Sequence, residues 1–114
     1  MMTTLVIKDF THSNSAISAH DGEKVYNEIL QHFKKNESVI LDFTGIELTI
    51  TAFLNSSIGK LYASYSSEII RNLLDIRNLA NDEKRLLKLV IDKAKERFNN
   101  PSSDSDNVDI INEG

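Results

Sequence analysis

Cysteine is missing from all 114 residues, so no disulfide framework, thiolate metal site or cysteine nucleophile can be built. Tryptophan is missing too, proline occurs once and glycine four times. The internal glycines, Gly22, Gly45 and Gly59, are scattered. They can form neither a phosphate-cradling loop nor a dinucleotide fingerprint, both of which need clustered glycines for close backbone approach. No apolar run reaches the roughly 18 residues that cross a bilayer. The start, Met1-Met2-Thr3-Thr4-Leu5-Val6-Ile7-Lys8, lacks the basic head and apolar centre of a secretory signal. A cytoplasmic protein in a reducing compartment is therefore expected, with no membrane partner.

Histidine is sparse and poorly placed for chemistry. His12, His20 and His32 stand at no metal-ligand spacing, and no HExxH pattern occurs. His32 falls beside the apolar stripe of a helix and the other two in a polar connection, where boundary and surface roles are the ordinary reading. No nucleophile, base and oxyanion donor can be assembled from recognisable spacings. The expectation is accordingly no enzyme, no catalytic residue, no metal and no cofactor.

Net charge is −4, and its placement says more than its size. Asp104, Asp106, Asp109 and Glu113 lie beyond Asn99, where no Lys or Arg occurs, and setting them aside leaves 13 acids against 13 bases. A neutral body lacks the basic footprint that phosphate neutralisation demands, which disfavours nucleic acid as a partner. The expected organisation is one domain over residues 1–98 followed by an acidic, disordered segment over 99–114. That segment has little apolar surface to offset ordering entropy, although Val108, Ile110 and Ile111 allow it to fold onto a partner or a neighbouring copy.

What is present is a repeating alternation of strand and helix signals. Leu5-Val6-Ile7 reads as a first strand, and Thr11 to His20 as a connection with a short strand at Ser15 to Ile17. Asp21 suits a helix cap, and Val25, Tyr26, Ile29, Leu30 and Phe33 recur at helical spacing up to about Asn36. Ser38-Val39-Ile40-Leu41-Asp42-Phe43 is almost continuously apolar and β-branched, as expected of a central strand covered on both faces. After the break at Thr44-Gly45, Leu54, Ile58, Leu61, Tyr62 and Tyr65 keep one helical face, with Thr51 as its cap. Gly59 inside that helix points to close approach by another backbone. The stretch from Glu68 to Leu79 fits both periods, and a strand around Leu73 to Ile76 is favoured. A last helix, capped by Asn81 or Asp82, carries Leu87, Val90, Ile91, Ala94 and Phe98. This order predicts the α/β class, a small mixed or parallel sheet with about three helices packed against it. Asp42, charged within an apolar strand, reads as a structural carboxylate tying down the amides of the following loop.

At Leu41-Asp42-Phe43-Thr44-Gly45-Ile46, Thr51-Ala52-Phe53-Leu54-Asn55 and Ile58-Gly59-Lys60-Leu61, the chain resembles the STAS-like family of bacteria and their phages. Gly22 and Ile76-Arg77-Asn78 extend the likeness over roughly residues 15 to 98. Similarity to the wider STAS superfamily, whose members include antagonists of anti-sigma factors, implies a helix-packed sheet with a partner-binding surface near the start of the second helix. In such relatives a serine or threonine there can be phosphorylated by a kinase-like partner. The matching region, Thr49-Ile50-Thr51-Ala52, lacks the acid-Ser-Ser-Gly pattern of the antagonists, and Asn55 stands where relatives commonly carry an acid.

The resemblance implies a regulatory protein-binding module, with Thr49, Thr51, Asn55 and Lys60 as candidate partner contacts or phospho-switch positions. The alternative reading is an inhibitor or mimic from a phage or mobile element that binds a host protein through its surface and acidic segment. Homo-oligomerisation is compatible with either.

Overall fold

The computed structural model describes residues 2–100. Strand β1 (Met2–Val6) leads through a one-turn helix α1 (Lys8–Thr11) to the two-residue strand β2 (Ser15–Ala16) and the long helix α2 (Ala19–Lys34). Strand β3 (Ser38–Asp42) follows, then β4 (Leu48–Thr49), α3 (Thr51–Ser57) and a 3-10 helix (Gly59–Ala63). The chain continues through α4 (Ser67–Leu73) directly into β5 (Leu74–Arg77), and ends with α5 (Asn81–Arg97). The main sheet has the order β1-β3-β5 with every pair parallel, and β2 and β4 form a separate parallel pair. The class is α/β, as expected, and among the described residues both sheets are parallel and five α-helices occur where about three were expected to pack against the sheet.

As expected, β3 is central. Among the described residues its two faces are unequally covered, however. Val39, Leu41 and Phe43 are buried together with Leu5, Leu74 and Ile76, whereas Ile40, Asp42, Val6, Asp75 and Arg77 on the opposite face stay half-buried and Thr4 is exposed. The reason is topological. Each crossover, β1 to β3 through α2 and β3 to β5 through α3 and α4, steps across the sheet in the same direction, and crossovers of one hand that never reverse lay their helices on one face. The core lies on that face, where Val25 and Ile29 of α2, Phe53 and Leu54 of α3, and Leu87 and Ile91 of α5 meet. Each such side chain, fully buried, contributes about 1.5–3 kcal/mol before entropy is subtracted.

Three helix starts differ from the sequence reading. Ser18, not Asp21, caps α2, its hydroxyl accepting from the Asp21 amide at 2.9 Å. Thr51 does not cap α3; it is the first helical residue, after an Ile50 that makes no side-chain cap bond. Ala80 precedes α5, so Asn81 and Asp82 lie inside its first turn. The helix expected from Thr51 to Tyr65 breaks at Ile58 and continues as the 3-10 helix. Ser56 and Ser57 turn their hydroxyls back onto the carbonyls of Ala52 and Phe53, competing with the helical ladder just before Gly59. The ambiguous stretch from Glu68 to Leu79 is both things in succession, α4 and then β5.

After α5, at the last of the described residues, Asn100 is fastened to the body. Its amide donates to the carbonyls of Tyr62 and Tyr65 at 2.9 and 2.8 Å, and its oxygen accepts from the Ser67 amide at 3.1 Å. Folded contacts therefore run two residues past the boundary at residue 98. Of the acidic segment 99–114 expected to be disordered, Asn99 and Asn100 are bonded to α5, and the remaining residues lie outside the described ones.

Candidate functional site

Strand β3 ends in an anchored turn that sets the position of everything up to α3. Asp42 Oδ1 accepts from the Thr44 amide at 3.0 Å, the Thr44 hydroxyl at 2.6 Å and the Asn78 side-chain amide at 2.9 Å. Burial alone raises a carboxyl pKa; the donors from Thr44 and Asn78 outweigh it and hold Asp42 below its ordinary value. This one carboxylate joins the loops that leave β3 and β5. Gly45 then takes a φ of +81°, a conformation that strains any residue with a Cβ. The edge-to-face pair of Phe43 and Phe53, with centroids 6.4 Å apart, fixes α3 against the end of β3.

Between turn and helix, β4 lies alongside β2, with Ser15 opposite Leu48 and Ala16 opposite Thr49. The amides of Glu47 and Ile50 donate to the carbonyls of Asn14 and Ala16 at 2.7 and 3.1 Å. Alternation along these short strands divides their side chains cleanly. Ala16 and Thr49 are buried, while Ile17, Leu48 and Ile50 turn outward at 45, 49 and 38 % exposure. Exposed Thr51 and Ala52 continue this apolar surface onto the first turn of α3, with half-buried Asn55 one turn further along.

The four positions singled out in the sequence are thus not equivalent. Thr49 is 2 % exposed and its hydroxyl has no hydrogen-bond partner among the described residues, so it faces the core and not a docking surface. Thr51 and Asn55 share one side of α3. Lys60 belongs to the 3-10 helix and is engaged with α2, 3.3 Å from Glu23 and 4.6 Å from the centre of the Tyr26 ring. Ile17, Leu48 and Ile50 were not singled out in the sequence. They are brought together by the pairing of β2 with β4, and a two-residue strand is too short to show a period in the sequence.

Gly22, in the first turn of α2, governs the closeness of α2 to α3. A Cβ there would stand 2.0 Å from Ser56 Oγ and 2.6 Å from the Phe53 carbonyl oxygen. Gly59, expected to permit a close backbone approach, has a looser setting; a Cβ would meet Asn55 Oδ1 at 3.3 Å and the Val90 side chain at 3.5 Å.

The family described as STAS-like domain of unknown function (DUF4325) matches residues 21–84, more than half of the chain. The chain belongs to this STAS-like family. The matched span of the STAS-like domain runs from the first turn of α2 to the first turn of α5, and so contains β3, β4, α3, α4 and β5. It includes every candidate position and leaves Ile17 of the apolar surface outside. No curated protein and no solved structure matches the chain. Among the described residues of the STAS-like domain, no cluster of His, Asp or Glu can hold a metal ion, and no helix is long and apolar enough to cross a membrane.

Proposed function

We propose that this STAS-like domain is a non-enzymatic regulatory module that binds another protein on the corner made by β2, β4 and the first turn of α3. One observation carries the reading: Ile17, Leu48 and Ile50 are exposed side by side, next to accessible Thr51 and Asn55. Among the described residues, the other large apolar side chains that face solvent, Met2, Ile69 and Leu89, stand singly on β1, α4 and α5. Isolated exposed residues are ordinary on any protein, whereas adjacent ones rimmed by polar groups mark contact surfaces. The partner that suits this corner presents apolar side chains flanked by groups able to hydrogen-bond to Thr51 and Asn55.

Thr51 is the accessible switch position of the proposal. Because its hydroxyl makes no cap bond, a phosphate there takes nothing away from the helix start. It would place about −2 charge in the middle of the apolar corner, which opposes docking of an apolar partner.

The test is binding of a co-purifying protein to variants of the corner. Leu48→Asp and Ile50→Asp remove apolar contact at exposed positions, where stability changes stay within about 0.5 kcal/mol. Each should weaken binding at least about tenfold if the corner holds the centre of the interface. Thr51→Glu and Asn55→Arg should also weaken it, and Leu89→Asp should not. Unchanged affinity in the corner variants would reject this surface.

A further inference from the structure

The docking corner follows the carboxyl end of β3; the amino ends of the three parallel strands meet at the other end of the sheet. There β3 opens at Ser38, opposite Met2 of β1, whereas β5 first pairs one residue later, Leu74 with Val39. The residue before Leu74 is still helical, because α4 runs into β5 with no intervening loop. A helical turn cannot continue the strand beside Ser38, and at this step lies a cavity of about 280 Å³. Ser38 and Ile40 of β3 line one side of it, and Arg71, Asn72 and Leu73 of α4 with Asp75 of β5 line the other.

The lining is mixed in chemistry. Ile40 and Leu73 offer half-buried apolar side chains, while the Ser38 hydroxyl and the Asn72 amide can donate hydrogen bonds. Asp75 is answered by Arg77, whose Nε and Nη2 reach Asp75 Oδ2 at 2.8 and 2.6 Å. Arg71 stands in the last turn of α4, where a positive charge suits the helix end. That explains a cation on this turn but not its place in the wall of a cavity. Among the described residues at the cavity, two guanidinium groups, of Arg71 and Arg77, stand against the one carboxylate of Asp75. Such a balance favours an anion, and the planar fork of arginine matches a carboxylate in particular. The volume falls just under the roughly 300 Å³ at which pockets for drug-sized ligands begin, so the occupant is smaller.

We propose that this cavity binds a small organic anion, a carboxylate carried on a short apolar chain. The carboxylate lies against Arg71, with Ser38 and Asn72 donating to its remaining lone pairs, and the chain lies on Ile40 and Leu73. The site shares no residue with the docking corner at β2, β4 and α3, and its test does not depend on that reading.

Chemical-shift mapping on the full chain tests this, with hexanoate, hexylammonium and inorganic phosphate as probes at one ionic strength. Hexanoate should move the Ser38, Ile40, Asn72 and Asp75 amides along a saturable curve, with a dissociation constant on the order of 1 mM. Hexylammonium, of the same length and opposite charge, should give no saturable shift, and phosphate should bind more weakly than hexanoate. Arg71→Gln should weaken hexanoate binding about tenfold through loss of the charge-assisted bond. Ile40→Phe, which narrows the cavity from β3 and leaves every charge in place, should weaken it as well. The Phe53 and Leu87 amides, in the core helices, report that each variant keeps its fold. Absence of saturation by hexanoate overturns the inference, as does an equal response to hexylammonium, phosphate bound as tightly as hexanoate, or unchanged affinity in either folded variant.

Discussion

Gly22 carries the closest contact around the candidate site. Replacing it with alanine sets a methyl against a flexible Ser56 hydroxyl, which can turn, and against the Phe53 carbonyl, which cannot. α2 must then move off α3, and Gly22→Ala is expected to cost about 1–3 kcal/mol in urea unfolding. Gly59→Ala, with its nearest neighbour at 3.3 Å, should cost clearly less. Among the described residues, two carboxylates contribute to the acid limit. Glu37 is held below its ordinary pKa chiefly by the hydrogen bond from His32 Nδ1 at 2.7 Å, and Asp42 by donors that outweigh its burial. A carboxylate whose folded pKa is depressed adds stability that is complete above its unfolded pKa and vanishes as pH falls through the folded one. The urea midpoint should therefore be flat near neutrality and drop from about pH 5 downward. Asp42→Asn should lower the midpoint at pH 7 and make that drop shallower.

At the scale of the element, long periodic segments were legible and local chemistry was not. The stripes of α2 and α5 and the run of β3 stood out because each repeats its signal over several turns or pleats. Caps went astray because several hydrogen-bonding side chains crowd each helix start, and sequence does not show which one turns back. Ser18, Asp21 and Thr51 are the instructive set, since only Ser18 makes the bond. Ser18→Ala should thus cost about 1 kcal/mol and Thr51→Ala almost nothing, a contrast that paired thermal melts will read directly. Of the candidate site, Thr51 and Asn55 were reachable through resemblance. Ile17, Leu48 and Ile50 depend on the pairing of β2 with β4, a long-range contact that no local pattern announces.

At the scale of the whole molecule, the core of the described residues lies on one side of the sheet. Its strands advance in a single direction, its helices share one face, and the loop after β3, pinned by Asp42, presents β4 and α3 at a corner. A fully covered β3 was expected because its sequence is apolar at nearly every position; the structure uses only alternate residues for the core, and Ile40 remains half-buried. The central claim is that this corner, and not the helical surface, is where a protein partner sits. Leu48 and Leu89 make a matched pair for testing it, at 49 and 50 % exposure on β4 and α5. A photoreactive residue installed at each position in the native cell should capture one discrete protein from position 48 and nothing comparable from position 89. Equal capture from both, or capture from 89 alone, would contradict the account.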